Sequence, residues 1–207
     1  MKQENTRQRI LNAALELFAQ YGYEAVGVGQ IAEAVGIKAP SLYKHFKSKQ
    51  DIFDSILAQM ERLDAEHARQ YTLPEGTAEE MADAYQNAAV SDLIAFSKTQ
   101  FRYWTEESFS SCFRRMLTLE QFRDQSMGNL YQQYLGAGPL GYVTDLLESL
   151  GFPNAEVLAA ELYGPMHLLY SCYDGAEDRK AVYVLLDAHL DAMEKKLEEL
   201  AKEKSCE

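Results

Sequence analysis

Between Lys38 and Lys49 the chain reads KAPSLYKHFKSK. Lys38, Lys44, Lys47 and Lys49 bring ammonium groups, Ser41 and Tyr43 hydroxyls, and His45 an imidazole. Ammonium groups attract phosphates as point charges, and hydroxyl and imidazole groups hydrogen-bond phosphate oxygens or base edges. Residues of these types at this density point to recognition of a polyanion, not to bond making. Elsewhere the reactive side chains are scattered. His45, His67, His167 and His189 lack metal-ligand spacing, and Cys112, Cys172 and Cys206 form no CxxC pair. Neither a metal site nor a disulfide framework is expected. Ser110, Ser111 and Cys112 have no basic partner nearby in sequence, and Glu106-Glu107 and Glu177-Asp178 read as loop or cap charges. No catalytic residue and no cofactor are expected, and an enzyme is the disfavoured class.

The charge distribution fits this reading. The 207 residues carry a formal charge of −12, yet residues 1–50 hold seven basic and four acidic side chains, against thirteen and twenty-eight afterwards. A basic head on an acidic body is the asymmetry expected when only the head meets a polyanion. No apolar run is long enough to span a bilayer, and MKQENTRQRI lacks an apolar signal region, so a cytoplasmic location with no membrane partner is expected.

The lysine-rich stretch needs a scaffold. Ile10, Ala14, Leu17, Phe18 and Tyr21 repeat with helical spacing over residues 5–21, with Asn5 as cap and Gly22 as stop. A second helix over 28–35 buries Val28, Ile31, Ala32 and Val35 and ends at Gly36. A third is expected over 39–46, with Pro40 in its first turn and Leu42 and Phe46 facing inward. A fourth begins after Ser48, with Asp51 at the capping-box position. Further on, TLPEGT (72–77) reads as a linker. Helices are expected over 78–104, 109–119 and 126–135, then a break at 136–142. Helix resumes to Leu150, and two more follow at 155–173 and 179–203. With no convincing strand, the fold class expected is all-α.

Two short helices joined at a glycine, with a third packed behind, are the parts of a helix-turn-helix. GYEAVGVGQIAEAVGIKAPSLYKHFKSKQDIF, from Gly22 to Phe53, resembles the DNA-binding domain of the TetR family of one-component bacterial transcriptional regulators. The resemblance rests on Gly22-Tyr23, Ile31-Ala32, Gly36-Ile37 and the Ser-Leu-Tyr-x-His-Phe-Lys-x-Lys run. It implies a homodimer on a palindromic double-stranded operator, with one recognition helix per subunit. It also implies a DNA-binding domain at 1–50 and a helical ligand-binding and dimerisation domain at 51–207, linked by the helix over 51–71. Tyr43, His45 and Lys49 match phosphate-contacting positions, and Ala39, Pro40, Ser41 and Lys44 match positions that often meet bases. Lys38 and Lys47 flank them. Where the family often has a hydroxyl pair, this chain has Val26-Gly27.

The second half is rich in aromatic residues around QFRYWTEESFSSCFRRM (100–116). Large apolar area with a few polar tips suits a small-molecule site, so Phe101, Trp104, Phe113, Tyr131, Tyr134, Tyr163, His167 and Tyr170 are the ligand-binding candidates. Pro165 and Gly138-Pro139 are expected to interrupt helices beside them, and the acidic surplus hints at a cationic effector. Dimerisation is expected through an apolar stripe on the last helix (Val182, Leu185, Leu186, Leu190, Met193, Leu197) and on the preceding one (Leu158, Leu162, Met166, Leu169, Tyr170). The function expected is a repressor released from its operator by a small-molecule effector. The alternative is a DNA-localised interaction factor with no such ligand.

Overall fold

The computed structural model describes residues 5–70 and 90–204, and no strand occurs among them. The all-α expectation holds. The linker at 72–77 and the first part of the helix expected over 78–104 lie outside the described residues. Ten helices are described: α1 Thr6–Tyr21, α2 Val28–Val35, α3 Ala39–Leu42, α4 Lys49–Gln70, α5 Val90–Glu106, α6 Ser108–Glu120, α7 Gln125–Leu135, α8 Ala137–Ser149, α9 Ala155–Gly175 and α10 Arg179–Lys204. The chain divides into two compact units, residues 1–68 with 108–131, and residues 69–107 with 132–207.

In the first unit α1 packs on α2 and α6, and α2 on α3. Asn5 Oδ1 accepts the Arg7 N–H at 3.1 Å and caps α1, while Gln8 bonds Asn12 instead of completing a capping box. Ile10, Leu11, Ala14, Leu15 and Phe18 bury the inner stripe of α1. At the end of α2 the Gly36 N–H reaches Glu33 O at 2.9 Å and the Ile37 N–H reaches Ala32 O at 2.9 Å. This paired Schellman closure needs a left-handed residue at position 36, and Gly36 supplies φ +75°. Ser48 Oγ accepts the Asp51 N–H at 3.0 Å and caps α4, while Asp51 Oδ2 accepts the Lys47 N–H at 2.7 Å.

In the second unit α9 packs against α8, α10 and α5, and α10 against α5. Lys98 on α5 holds Asp187 and Asp191 of α10 at 3.2 and 3.1 Å. The expected break at 136–142 shrinks to one residue, Gly136, between α7 and α8. Pro139 falls in the first turn of α8, where no N–H is needed. A Cβ on Gly138 would strike the Gln133 carbonyl oxygen, so the close approach at this corner requires glycine. Nor does Pro165 break α9, which continues from Ala155 to Gly175 with the proline exposed.

Candidate nucleic-acid interface

The expected 39–46 helix is shorter than its spacing implied. Regular helix covers Ala39–Leu42, and Tyr43 to His45 continue as a turn. Three-residue bonds run through it, Ser41 N–H to Lys38 O at 2.8 Å, Lys44 N–H to Ser41 O at 3.3 Å and His45 N–H to Leu42 O at 2.9 Å, and Leu42 O also accepts the Phe46 N–H across four residues at 3.1 Å. In so short a segment three-residue bonds compete with four-residue ones, and the turn tightens toward 3₁₀-like geometry. Leu42 and Phe46 anchor it, 0% and 1% exposed. The Arg7 guanidinium lies 4.5 Å from the Phe46 ring centroid and donates to Ser55 Oγ at 3.0 Å. Arg9 donates to Val35 O at 2.7 Å. Both arginines, exposed on α1, thus tie that helix to the rest of the helix-turn-helix.

The anchored turn throws the other side chains outward. Lys38, Pro40, Tyr43, Lys44, His45 and Lys47 are exposed, and Ala39 and Ser41 are half-buried. Among the described residues, the side chains of Lys38, Tyr43, Lys44, His45 and Lys47 have no hydrogen-bond or ion-pair partner. Tyr43 is 55% exposed, a poor placement for a ring that merely packs.

Lys49 differs. It is half-buried, donates to Tyr23 O at 2.9 Å, and sits 4.2 Å from the Tyr23 ring centroid and 3.9 Å from Glu24 Oε2. The Tyr23 ring meets Phe18 and Phe53 edge-on at 5.1 and 5.2 Å, and its hydroxyl donates to Gln50 Oε1 at 3.1 Å. Burial first, then Glu24 and Asp54, pushes the Tyr23 hydroxyl above its ordinary pKa of 10.0. In place of the hydroxyl that the family often has, Gln30 Oε1 accepts the Gly27 N–H at 2.7 Å and steadies the start of α2.

Residues 10–56 match the family model described as bacterial regulatory proteins, tetR family. That segment is similar to the TetR family's DNA-binding domain. Among curated TetR-like relatives the chain is 47% identical over 53 residues to the HTH-type transcriptional regulator AcrR of Shigella flexneri. That stretch is 26% of this chain and 25% of AcrR. It is 35% identical over 95 residues to the HTH-type transcriptional repressor ComR of Escherichia coli, 45% of this chain and 44% of ComR. The match therefore spans less than half the length of either relative. A TetR-like transcriptional regulator from Rhodococcus shares the fold at TM-score 0.64 and 19% identity, covering 100% of this chain and 98% of that one.

The eight ligand-binding candidates do not form one set. Phe113 and Tyr131 belong to the first unit and the other six to the second. In the second, Phe101 stacks on Tyr170 at 5.2 Å, Tyr170 meets His167 at 6.2 Å, and His167 meets Tyr163 at 5.8 Å. The Tyr163 hydroxyl donates to Leu135 O at 2.7 Å. Trp104 and Tyr134 form a separate contact at 6.3 Å. Sequence reasoning omitted Tyr173 and Tyr183, which meet Phe101 edge-on at 6.2 and 5.8 Å. Arg179 and Arg102 lie 4.8 and 5.8 Å from the Tyr173 and Tyr183 centroids, so cations of the chain itself already approach those two rings. The Tyr183 hydroxyl donates to Glu106 Oε1 at 2.6 Å, and burial followed by this bond raises its pKa well above the usual tyrosine value. Gln100 Oε1 is buried with no hydrogen-bond partner among the described residues. A shallow depression of about 270 Å³ lined by Glu148, Phe152 and Val157 includes none of the eight candidates.

Proposed function

We propose that this protein is a DNA-binding transcriptional regulator that acts as a homodimer on a palindromic operator and represses until a small-molecule effector releases it. One observation carries the DNA-binding part. The side chains of Lys38, Tyr43, Lys44, His45 and Lys47 face outward from an anchored helix-turn-helix and bond nothing among the described residues. Donors held out without partners suit phosphates and base edges. Residues 1–50 carry this contact, and residues 51–207, entered through the helix at 51–71, serve effector binding and dimerisation. Likeness to a relative named as a repressor supports repression over activation.

The dimer reading moves to another face. Val182, Leu186, Leu190, Met193 and Leu197 are buried within their own chain, as are Leu158, Leu162, Met166, Leu169 and Tyr170. Left outside are Val157 and Leu168 on α9 and Val184 and Leu185 on α10, each at least 58% exposed. Gly164 lies between Val157 and Leu168, and a Cβ there would meet nothing. A second copy laying its own α9 and α10 on this face makes a four-helix interface.

The effector reading rests on the contiguous rings Phe101, Tyr170, His167 and Tyr163, which favour a mainly apolar molecule. Selection of duplexes from a random DNA pool by the purified protein tests the proposal as a whole. A palindromic consensus with half-sites about one helical turn apart is expected. Recovery of no enriched sequence overturns operator recognition, and enrichment of a single half-site overturns the dimer.

A further inference from the structure

Glu120 ends α6 and is 1% exposed. Its Oε1 accepts the Tyr23 N–H at 2.9 Å, although 97 residues separate the two in sequence. Arg123 Nε lies 3.5 Å from its Oε2. Gly22 makes the approach possible: it adopts φ +83°, and a Cβ there would stand 2.5 Å from Glu120 Oε1. A carboxylate here faces the carbonyl end of α1 and closes the carbonyl end of its own helix, where both dipoles oppose it. Burial of an acid in so adverse a place costs stability unless specific bonds offset it. Packing alone is a poor reason for its presence.

What the carboxylate holds is Tyr23. The same residue's carbonyl holds Lys49 at 2.9 Å, its ring lies against Phe18 and Phe53, and its hydroxyl bonds Gln50. Lys49 and Gln50 begin α4, directly after the exposed turn. We infer that Glu120 is a positioning residue for nucleic-acid binding: it fixes the Tyr23 peptide and, through it, the place where Lys49 presents its charge. This rests on the DNA-binding reading above. Tyr23 O occupies one of the three ammonium donors of Lys49, and Glu24 Oε2 at 3.9 Å stands beyond hydrogen-bond reach, so two donors remain for a phosphate.

The test uses the full chain and a labelled mixed-sequence duplex of about 30 base pairs, titrated at several salt concentrations. Glu120→Gln keeps an acceptor for the Tyr23 N–H, so its affinity should stay within about twofold of the parent. Glu120→Leu removes the acceptor, and Glu120→Asp withdraws it by one methylene. Both should bind roughly tenfold more weakly, with a log–log salt slope smaller by about one phosphate contact. If Glu120→Leu fails to fold, Glu120→Asp carries the comparison. In a Lys49→Met background neither substitution should cause further loss. Amide exchange at Tyr23 should be slow in the parent and Glu120→Gln, and fast in the other two. Parent-like binding by Glu120→Asp and Glu120→Leu overturns the inference, as does loss by Glu120→Gln equal to theirs, or losses that add to that of Lys49→Met. A parent that binds no duplex overturns the DNA reading itself, and Tyr23 exchange then shows separately whether the link exists.

Discussion

Lys44 and Lys49 carry the same charge and stand five positions apart, yet their surroundings predict different losses. The Lys44 side chain is exposed and bonds nothing within the described residues. Lys44→Ala should therefore leave folding stability within about 0.5 kcal/mol of the parent. It should cost about 1–3 kcal/mol in operator affinity and relax one base position. Lys49 also ties Tyr23 to α4. Lys49→Ala should weaken binding to all duplexes alike, reduce the salt slope by about one, and lower the melting temperature as well. Binding isotherms across salt concentrations, with thermal melts of both variants, separate the two roles. Equal melting temperatures with equal salt slopes would contradict the assignment.

At the scale of elements, two caps give contrasting expectations. Gly36 closes α2 in left-handed geometry, and a Cβ there meets nothing. Gly36→Ala is then a test of backbone strain alone, and a loss of about 1 kcal/mol in denaturant unfolding is expected. Asp124 caps α7, its Oδ1 accepting the Ser126 hydroxyl at 2.6 Å and the Met127 N–H at 3.0 Å. The Ser126 bond first, and then the Met127 amide, hold its carboxyl below the ordinary 3.8. A depressed folded value means that its contribution is present above pH 3.8 and is lost as pH falls through the folded value. Asp124→Asn should keep the neutral-pH melting temperature near the parent's and flatten its decline in acid. An unchanged acid profile would rule out Asp124 as a source of the decline.

For the whole molecule, the decisive surface is the outer face of α9 and α10. Leu168 and Leu185 are 64% and 60% exposed, so charge placed there disturbs no internal packing. Leu168→Glu and Leu185→Glu should stay fully helical and become monomeric in sedimentation velocity, while the parent is dimeric. Because two recognition helices must meet two half-sites, operator affinity should fall at least as steeply as for Lys44→Ala. The buried Leu186→Glu would instead unfold the chain, since it places a charge in the intrachain core. A parent that sediments as a monomer at micromolar concentration would refute the interface.

The sequence by itself determined the all-α class, most helix ends and the outward donors of the helix-turn-helix, because these follow from local terms. Spacing at 3.6 residues, Asn5 and Ser48 as caps, and Gly36 as stop act over a single turn of chain. It could not show that the 39–46 helix contracts to Ala39–Leu42, since three- and four-residue bonding compete there and the buried Leu42 and Phe46 constrain the outcome. Nor could it sort the two faces of α10, where Leu185 and Leu186 are adjacent in sequence but one is exposed and the other buried. An apolar helix face reads alike whether its partner is its own chain or another. The pairing of Glu120 with Tyr23 lies furthest beyond reach, because no periodicity links positions 97 apart. Only the packing of α6 on α1 brings that carboxylate to that amide.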